Sequence, residues 1–364
     1  MSVQTRPQFP LFPCLLLPQL ILSIFVAYRF SLFWRTTALI ALIANVTFAL
    51  SCTTGDAFQD YTTGVPIATM FVTTIHLLFL TNPETDFKHE SSTQPVQALS
   101  IPRRLIWGIS ITLNPRNVGW NTEVANLPPR PTTGRWRFVL DSLLRAAWLL
   151  FLLALAQLYF HTNPIFSLSG QAAVSVKSQG YLWRCINVFV AGAQAYGIMN
   201  LPYSLLCAFL VALGISEPKH CPNLFGSWAD SYTVRRFWGR TWHQTMRRFM
   251  TSYGKCAARL LGFKPGTSGS SYIQLYVAFA LSAVIHSVGD RMVGLEYTGC
   301  SAPFFMSQAI AITFEDMVIA VVRRRGVKIP PTVAHLVGYI WVFVWFSVSL
   351  PWFLDWFLRI SYIQ

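Results

Sequence analysis

The 364-residue chain is 53% hydrophobic and 15% aromatic, with 12% charged residues and a mean hydropathy of +0.44. That is too apolar for a soluble globular domain, in which about a quarter of residues carry charge, and it points to an integral membrane protein. The net charge of +14 does not indicate a nucleic-acid partner, because the basic residues lie between apolar segments and form neither a tail nor a basic domain.

In chain order, Arg6 precedes an apolar run at 11–28 that lacks a small-residue cleavage site, so it reads as a retained first span. Further apolar segments follow at 36–52, 65–81, 138–160, 181–215, 272–288, 302–322 and 333–358. Most are near the ~20 residues that a membrane-crossing helix needs. Segment 181–215, interrupted by Gly197 and Pro202, reads as one long kinked helix or as two. Taken as one, it brings the total to about eight spans. The expectation is an all-α polytopic protein with added interfacial helices, residues 1–364 forming a single membrane-embedded domain. The triplet Asn45-Val46-Thr47 matches a glycosylation site but falls within a span.

Charge placement supplies a topology. With a lumenal N-terminus, the loops 29–35, 82–137, 216–271 and 323–332 are cytosolic and hold 2, 7, 9 and 4 of the 28 Lys and Arg residues. Loop 53–64, on the opposite side, carries Asp56 and Asp60 and no basic residue. This asymmetry follows the positive-inside rule.

The first long loop opens with TNPETDFKHESSTQP, a polar run expected to be flexible. Beyond it, Ile101, Leu105, Ile106 and Ile109 alternate with Arg103 and Arg104 in an interfacial pattern. Asn114, Arg116, Gly119, Trp120 and Asn121 then place turn formers around a tryptophan expected to be exposed, the composition of a shaped loop. The seven cysteines show no metal-ligand spacing and no disulfide framework, so no metal is expected.

In the second long loop, residues 223–250 set Arg235, Arg236, Arg240, Arg247 and Arg248 among Trp228, Phe237, Trp238, Trp242 and Phe249, with His243 in the middle. As a helix this stretch would place Arg240, His243 and Arg247 on one side and Trp238, Trp242, Thr245 and Phe249 on another. Such a segment suits a membrane surface, either as a lipid anchor or as a receiver of an anionic ligand.

Within the spans, His286 stands in an otherwise non-ionisable run, YIQLYVAFALSAVIHS. A titratable group there requires a partner or a polar cavity. Asp290, four residues on, is positioned to accept from one ring nitrogen and leave the other as a base. The competing reading is a histidine satisfied by Ser282 or by a neighbouring helix. Glu315 and Asp316 are expected to pair with Arg323 or with loop arginines, and Asp141 with Arg145; His76 and His335 read as packing residues.

Several chemistries lack their motifs. There is no GxSxG, Walker A, HExxH or GxGxxG, and His286 with Asp290 is HxxxD, one residue short of the glycerol-phosphate acyltransferase spacing.

Three blocks in order do resemble a family. NLFGSWADSYTVRRFWGRTWHQ, centred on FWGRTWHQ, is similar to the signature of the wax synthase-like branch of the membrane-bound O-acyltransferases. RNVGWNTEVANLP at 116–128 resembles the block upstream of it in fungal members, and LSAVIHS at 281–287 stands where that family has its intramembrane histidine. Asn117, Glu123 and Ala125 depart from the usual pattern.

The resemblance implies an O-acyltransferase-like bundle with an internal tunnel, in the endoplasmic reticulum membrane. The implied reaction is O-acetyl transfer from acetyl-CoA, as co-substrate and not as a resident cofactor, to a hydroxyl of a terpenoid, meroterpenoid or related secondary metabolite. It implies His286 and His243 as catalytic residues. An alcohol needs a base to remove its proton as it attacks a thioester, and a neutral imidazole in a low-dielectric site suits that task. Arg116, Arg235, Arg236, Phe237, Trp238, Arg240, Trp242 and Arg247 are the expected acyl-CoA contacts, with Trp120, Asn121 and Asp290 at the acceptor.

The topology sets His286 toward the lumen and acyl-CoA in the cytosol, which calls for a tunnel or for a tilted or re-entrant span. A long-chain wax ester synthase is the alternative within the class. A small-molecule transporter would also use intramembrane titratable groups, although this chain lacks repeated halves. A non-enzymatic scaffold would give His286 and the arginine–tryptophan block no purpose.

Overall fold

A computed structural model of the chain describes residues 6–167 and 175–361, and the regular elements there are helices. Among the described residues extended pairing is limited to two isolated bridges, Gln8 with Thr53 and His89 with Trp120. The main helices are α1 (Phe12–Ala27), α2 (Leu32–Ala49), α3 (Ala57–Leu80), α4 (Ile101–Leu113) and α5 (Arg135–Thr162). They continue as α6 (Tyr181–Ala212), α7 (Arg247–Leu260), α8 (Ser268–Val293), α9 (Ala302–Arg324) and α10 (Pro331–Ser361).

Seven of them, α2, α3, α5, α6, α8, α9 and α10, are long and apolar enough to cross a bilayer. The expected span at 11–28 is instead the shorter apolar helix α1. At 1.5 Å per residue it measures about 24 Å, short of a hydrocarbon core ~30 Å thick. Segment 181–215 is one helix with Pro202 inside it. On α5, Leu140, Leu144, Trp148, Phe151, Leu155 and Leu158 are exposed at helical spacing. Such a stripe would be costly in water and suits lipid. The protein is a multi-pass membrane protein.

The chain divides into two compact units, Met1–Val124 with Thr245–Ala309, and Ala125–Gln244 with Ile310–Gln364. In the first, Asp56 caps α3 by accepting from the Gln59 amide at 2.7 Å, which satisfies one of the unpaired N–H groups of the first turn. Buried Asp60 accepts from Thr53 Oγ1, Thr54 N and Thr54 Oγ1, pinning the turn before it.

Helices α3 and α8 meet through glycines. A Cβ on Gly64 would lie 2.8 Å from the Gly289 Cα, and one on Gly289 would lie 2.9 Å from the Tyr61 ring. Above this crossing Ala68, Val72, Ile285 and Phe249 form a core that also holds α7. Helix α4 is seated on α1 by Gly108 against Ser23 and Ala27, and by a 2.7 Å bond between the Ser23 and Thr112 hydroxyls.

The run 81–95, expected to be flexible, packs instead. Phe87 and Val96 join Trp107, Ile111, Leu77 and Trp120 in one buried cluster, and burying those two apolar side chains anchors the polar residues between them.

In the second unit α5 packs on α6, with Gly197 against Leu153. Arg135 donates to the Val211 carbonyl at 3.0 Å and also to that of Ala212, closing the carbonyl end of α6. At the other end Tyr159, Asn163, Gln179 and Asn187 form a hydrogen-bonded group in which Tyr159 donates to Asn187 at 2.5 Å. Asp141 pairs with Arg137, four residues before it, where the sequence suggested Arg145.

Candidate active site

In the first unit, α8 is an unbroken helix that carries His286, half-buried, on the side facing α3. The Tyr61 hydroxyl and His286 Nδ1 are 2.6 Å apart. Phe305 stacks on the imidazole with centroids 4.1 Å apart and planes 15° from parallel, which fixes the orientation of the ring. Asp290, expected beside His286 as its partner, is fully buried and turned to the start of α9. It accepts from Ser301 N at 2.8 Å and from Ser301 Oγ at 2.5 Å. Tyr61 escaped sequence reasoning. The available signal was a shared register: Tyr61-x-x-Gly64 and His286-x-x-Gly289 each set a polar ring one turn before a close-approach glycine.

The loop after α4 explains its unusual asparagine. Asn117 adopts φ +50°, a left-handed conformation that asparagine tolerates better than most residues. Fully buried, it donates from Nδ2 to Thr122 Oγ1 at 2.7 Å and accepts on Oδ1 from Arg248 Nη1 at 2.5 Å. Arg248 also donates to the carbonyls of Ile111 and Asn114. Burial lowers its guanidinium pKa to about 10. Glu123, the other departure from the family pattern, accepts from the Gly119 amide at 2.9 Å and closes the loop.

Trp120 is buried, not exposed: it packs edge-on to Trp107 with centroids 6.2 Å apart, and Phe87 and His89 of the 81–95 run lie against it. Asn121 bridges to that run through the Lys88 amide and the Asp86 carbonyl. Arg116 is buried at 3% exposure, while Arg247 begins α7 half-buried.

In the second unit the arginine–tryptophan block is not one helix. A single turn at Val234–Arg236 widens into a π-helical turn at Phe237–Thr241, and Trp242 is extended at φ −69°, ψ 151°. Tertiary bonds override the helical period here. Thr241, fully buried, donates to the Ser227 carbonyl at 2.9 Å, and the Gln244 side chain donates to the carbonyls of Trp238 and Trp242. Gly226 packs directly on the backbone at Arg240, where a Cβ has no room.

Arg240, His243 and Arg247 therefore do not share a helix face. Arg236 pairs with Asp230 and stacks on the Tyr232 ring, and Arg235 pairs with Asp316. Glu315 accepts from the amides of Val234 and Arg235 and from Trp341 Nε1 at 3.0 Å. Of the two pairings suggested by the sequence, Asp316 takes the loop arginine and not Arg323, whereas Glu315 is held by amides and an indole. Arg240 is exposed. Phe237, Trp238 and Trp242 form an aromatic cluster with Phe346, and His243 meets Phe225 edge-on at 6.0 Å. His335, read as a packing residue, stacks on Tyr232 at 4.0 Å.

Comparisons with known proteins agree with this architecture. Residues 221–307 match the model of the membrane bound O-acyl transferase family, and residues 134–212 match that of the aspirochlorine biosynthesis protein F C-terminal domain. Acetyltransferase ple2 of Rhodocybe pseudopiperita is 32% identical over 316 residues, covering 86% of this chain and 82% of that protein. Acetyltransferase eriL of Hericium erinaceus is 31% identical over 322 residues, with the same 86% and 82% coverage. O-Mevalon transferase yanI of Aspergillus niger is 28% identical over 334 residues, covering 81% of this chain and 72% of that protein. No solved structure matches. With helices as the regular elements of the described residues, seven of those helices able to span a bilayer, and relatives matched over most of their length, the chain belongs to the membrane bound O-acyl transferase family and is an acyl-transferring enzyme.

Proposed function

We propose that the enzyme transfers an acetyl group from acetyl-CoA to a hydroxyl of a terpenoid, meroterpenoid or related secondary metabolite in the endoplasmic reticulum membrane, with His286 as general base. The observation that carries this reading is the 2.6 Å contact between Tyr61 and His286 Nδ1 beneath the Phe305 ring, which gives an intramembrane imidazole a fixed orientation. Supporting the acetyl group are the names of the ple2 and eriL relatives.

In the proposed step Nε2 of His286 takes the alcohol proton as the oxygen attacks the thioester carbonyl. The tetrahedral oxyanion collapses, the C–S bond breaks, and the imidazolium returns the proton to the departing thiolate. Alcohol and acyl-CoA thus become ester and free CoA. His243 is the second catalytic candidate, by residue type able to supply a ring N–H donor. The name of the yanI relative favours a second reading, in which the donated group is an acyl group other than acetyl.

The test is to incubate membranes carrying the protein with acetyl-CoA or palmitoyl-CoA against a panel of terpenoid and fatty alcohols. Acetyl esters of the terpenoid alcohols are the expected products. Palmitoyl esters of the fatty alcohols alone would overturn the acetyl reading in favour of wax ester synthesis.

A further inference from the structure

We propose that the first unit carries a binding site for an anionic phospholipid, in a cleft where the ends of α1, α2 and α3 meet, with Arg29 and Arg35 holding the lipid phosphate. The cleft lies at the end of α3 opposite to Tyr61, and it does not rest on the acyl-transfer reading. The loops on this face, 29–35 and 82–137, are those that charge placement assigns to the cytosol.

The sequence sets charge at the depth of the headgroups. Helix α1 ends at Ala27 and α2 begins at Leu32, so Arg29 stands in the short turn between them and Arg35 in the first turn of a membrane-crossing helix. Arginines at that level lie beside lipid phosphates. Arg35 donates to the Leu78 carbonyl at 2.6 Å, near the end of α3, and its guanidinium lies 5.8 Å from the Phe79 ring. That anchor leaves the Arg35 Nε–H buried with no acceptor among the described residues, which costs free energy until an acceptor arrives. Arg29 is exposed. The carboxylate that lines the cleft, Glu84, is occupied by Arg104 and by Gln97 Nε2 at 3.3 Å. The charges of Arg29 and Arg35 therefore stay available to an anion.

The cleft itself is narrow. Phe25 and Leu77 wall it, and Arg29, Arg35 and Glu84 rim it. Its volume of about 10 Å³ is roughly the space of one water. It can enclose neither a nucleotide nor an acceptor molecule. It admits one oxygen of a phosphate seated at its mouth, where arginine forms charge-assisted bonds.

The surroundings select a lipid over a soluble phosphate. Leu32, Phe33 and Trp34 are exposed at the start of α2. Helix α4 is tied to the cleft by Arg104, which pairs with Glu84 and donates to the Ala27 carbonyl at 2.6 Å. That helix exposes Ile101, Ile106 and Leu113 while Trp107, Gly108 and Ile111 are buried. A helix so divided lies in the plane of a membrane surface. Acyl chains find apolar partners there, and a hydrated anion finds none.

The test is native mass spectrometry of the purified full chain, equilibrated in nonionic detergent with equimolar phosphatidylglycerol and phosphatidylcholine of matched acyl chains. One phosphatidylglycerol is expected to stay bound, preferred about 10-fold over phosphatidylcholine. Arg29→Gln changes an exposed side chain, keeps the parental melting temperature, and lowers the apparent affinity about 5- to 10-fold through the loss of one charge-assisted contact. Arg35→Lys keeps the charge but not the Nε donor, and lowers it about 3-fold or more. Arg103→Gln, exposed on α4 but outside the cleft, changes it less than about twofold.

Equal losses in Arg29→Gln and Arg103→Gln would reduce the effect to general surface charge and overturn the cleft. A folded parent with no preference for phosphatidylglycerol would overturn the site altogether. Displacement of the bound lipid by inorganic phosphate or by CoA at equal concentration would assign the cleft to a soluble phosphate and overturn the lipid. The readout is bound lipid, so failure of the acyl-transfer reading leaves the outcome intact.

Discussion

Asn117 Oδ1 accepts a 2.5 Å hydrogen bond from Arg248 Nη1, tying the loop after α4 to the first turn of α7. Both side chains are buried, and the asparagine holds a left-handed backbone. One residue therefore supplies an uncommon φ, a donor to Thr122 and an acceptor for a buried cation. The loop RNVGWN is shaped by what lies under it, and the asparagine after Arg116 is a structural key to that shape.

Asn117→Ala is expected to lower stability by about 2–4 kcal/mol, because a buried guanidinium loses an acceptor and alanine is strained at positive φ. Asn117→Gly removes the same bonds but relieves the backbone, and should recover about 1 kcal/mol of that loss. Thermal unfolding of the two variants in one detergent measures the difference.

Arg248→Lys should make stability depend on pH where the parent does not. Burial lowers Arg248 only to about 10, so it stays charged in neutral and mildly alkaline buffers. A lysine starts near 10.4 and is depressed by the same burial. The folded variant then binds its proton less readily than the unfolded chain. Stability is greatest above the unfolded lysine pKa and falls as pH drops toward the depressed folded value. Melting temperatures taken about every half unit from pH 7 to 10 should rise with pH for Arg248→Lys by more than for the parent.

Glu315 and Asp316 are adjacent acids with unequal tasks. Glu315 is buried and accepts two backbone amides and an indole N–H, whereas Asp316 pairs with an exposed arginine. Glu315→Ala should cost about 2–3 kcal/mol by leaving buried donors unpaired. Asp316→Ala should cost under about 1 kcal/mol, as exposed ion pairs do. Parallel melts of the two variants decide the ranking.

Arg240 is exposed, and its neighbours in the block, Arg235 and Arg236, are held by carboxylates. Arg240→Ala should raise the KM for acyl-CoA about 10-fold, the loss of one charge-assisted phosphate contact, and leave the alcohol KM unchanged. A change confined to the alcohol would remove Arg240 from the donor site.

Much of the architecture was legible because hydropathy reports what lipid demands of a chain. Segments 36–52 through 333–358 became helices, and 181–215 stayed a single one despite Pro202. What hydropathy could not show was contact between distant residues. Residues 223–250 have a helical period, yet Thr241 bonds Ser227, fourteen residues back, and Gln244 folds onto the carbonyls of Trp238 and Trp242, so the helix ends there. His286 stood out as an isolated titratable group, but its partner came from α3, 225 residues away, and not from Asp290 four residues on. Phe87 inside the polar run and Val96 directly after it were the overlooked sign that 81–95 is anchored.

The central claim is that His286 is the base. The most direct measurement is single-turnover acetyl transfer by purified His286→Ala beside the parent, with thermal unfolding recorded for both. The expected result is a transfer rate reduced at least about 100-fold, the usual contribution of a general base, in a protein that melts within a few degrees of the parent. Near-parental turnover in the folded variant would contradict the assignment.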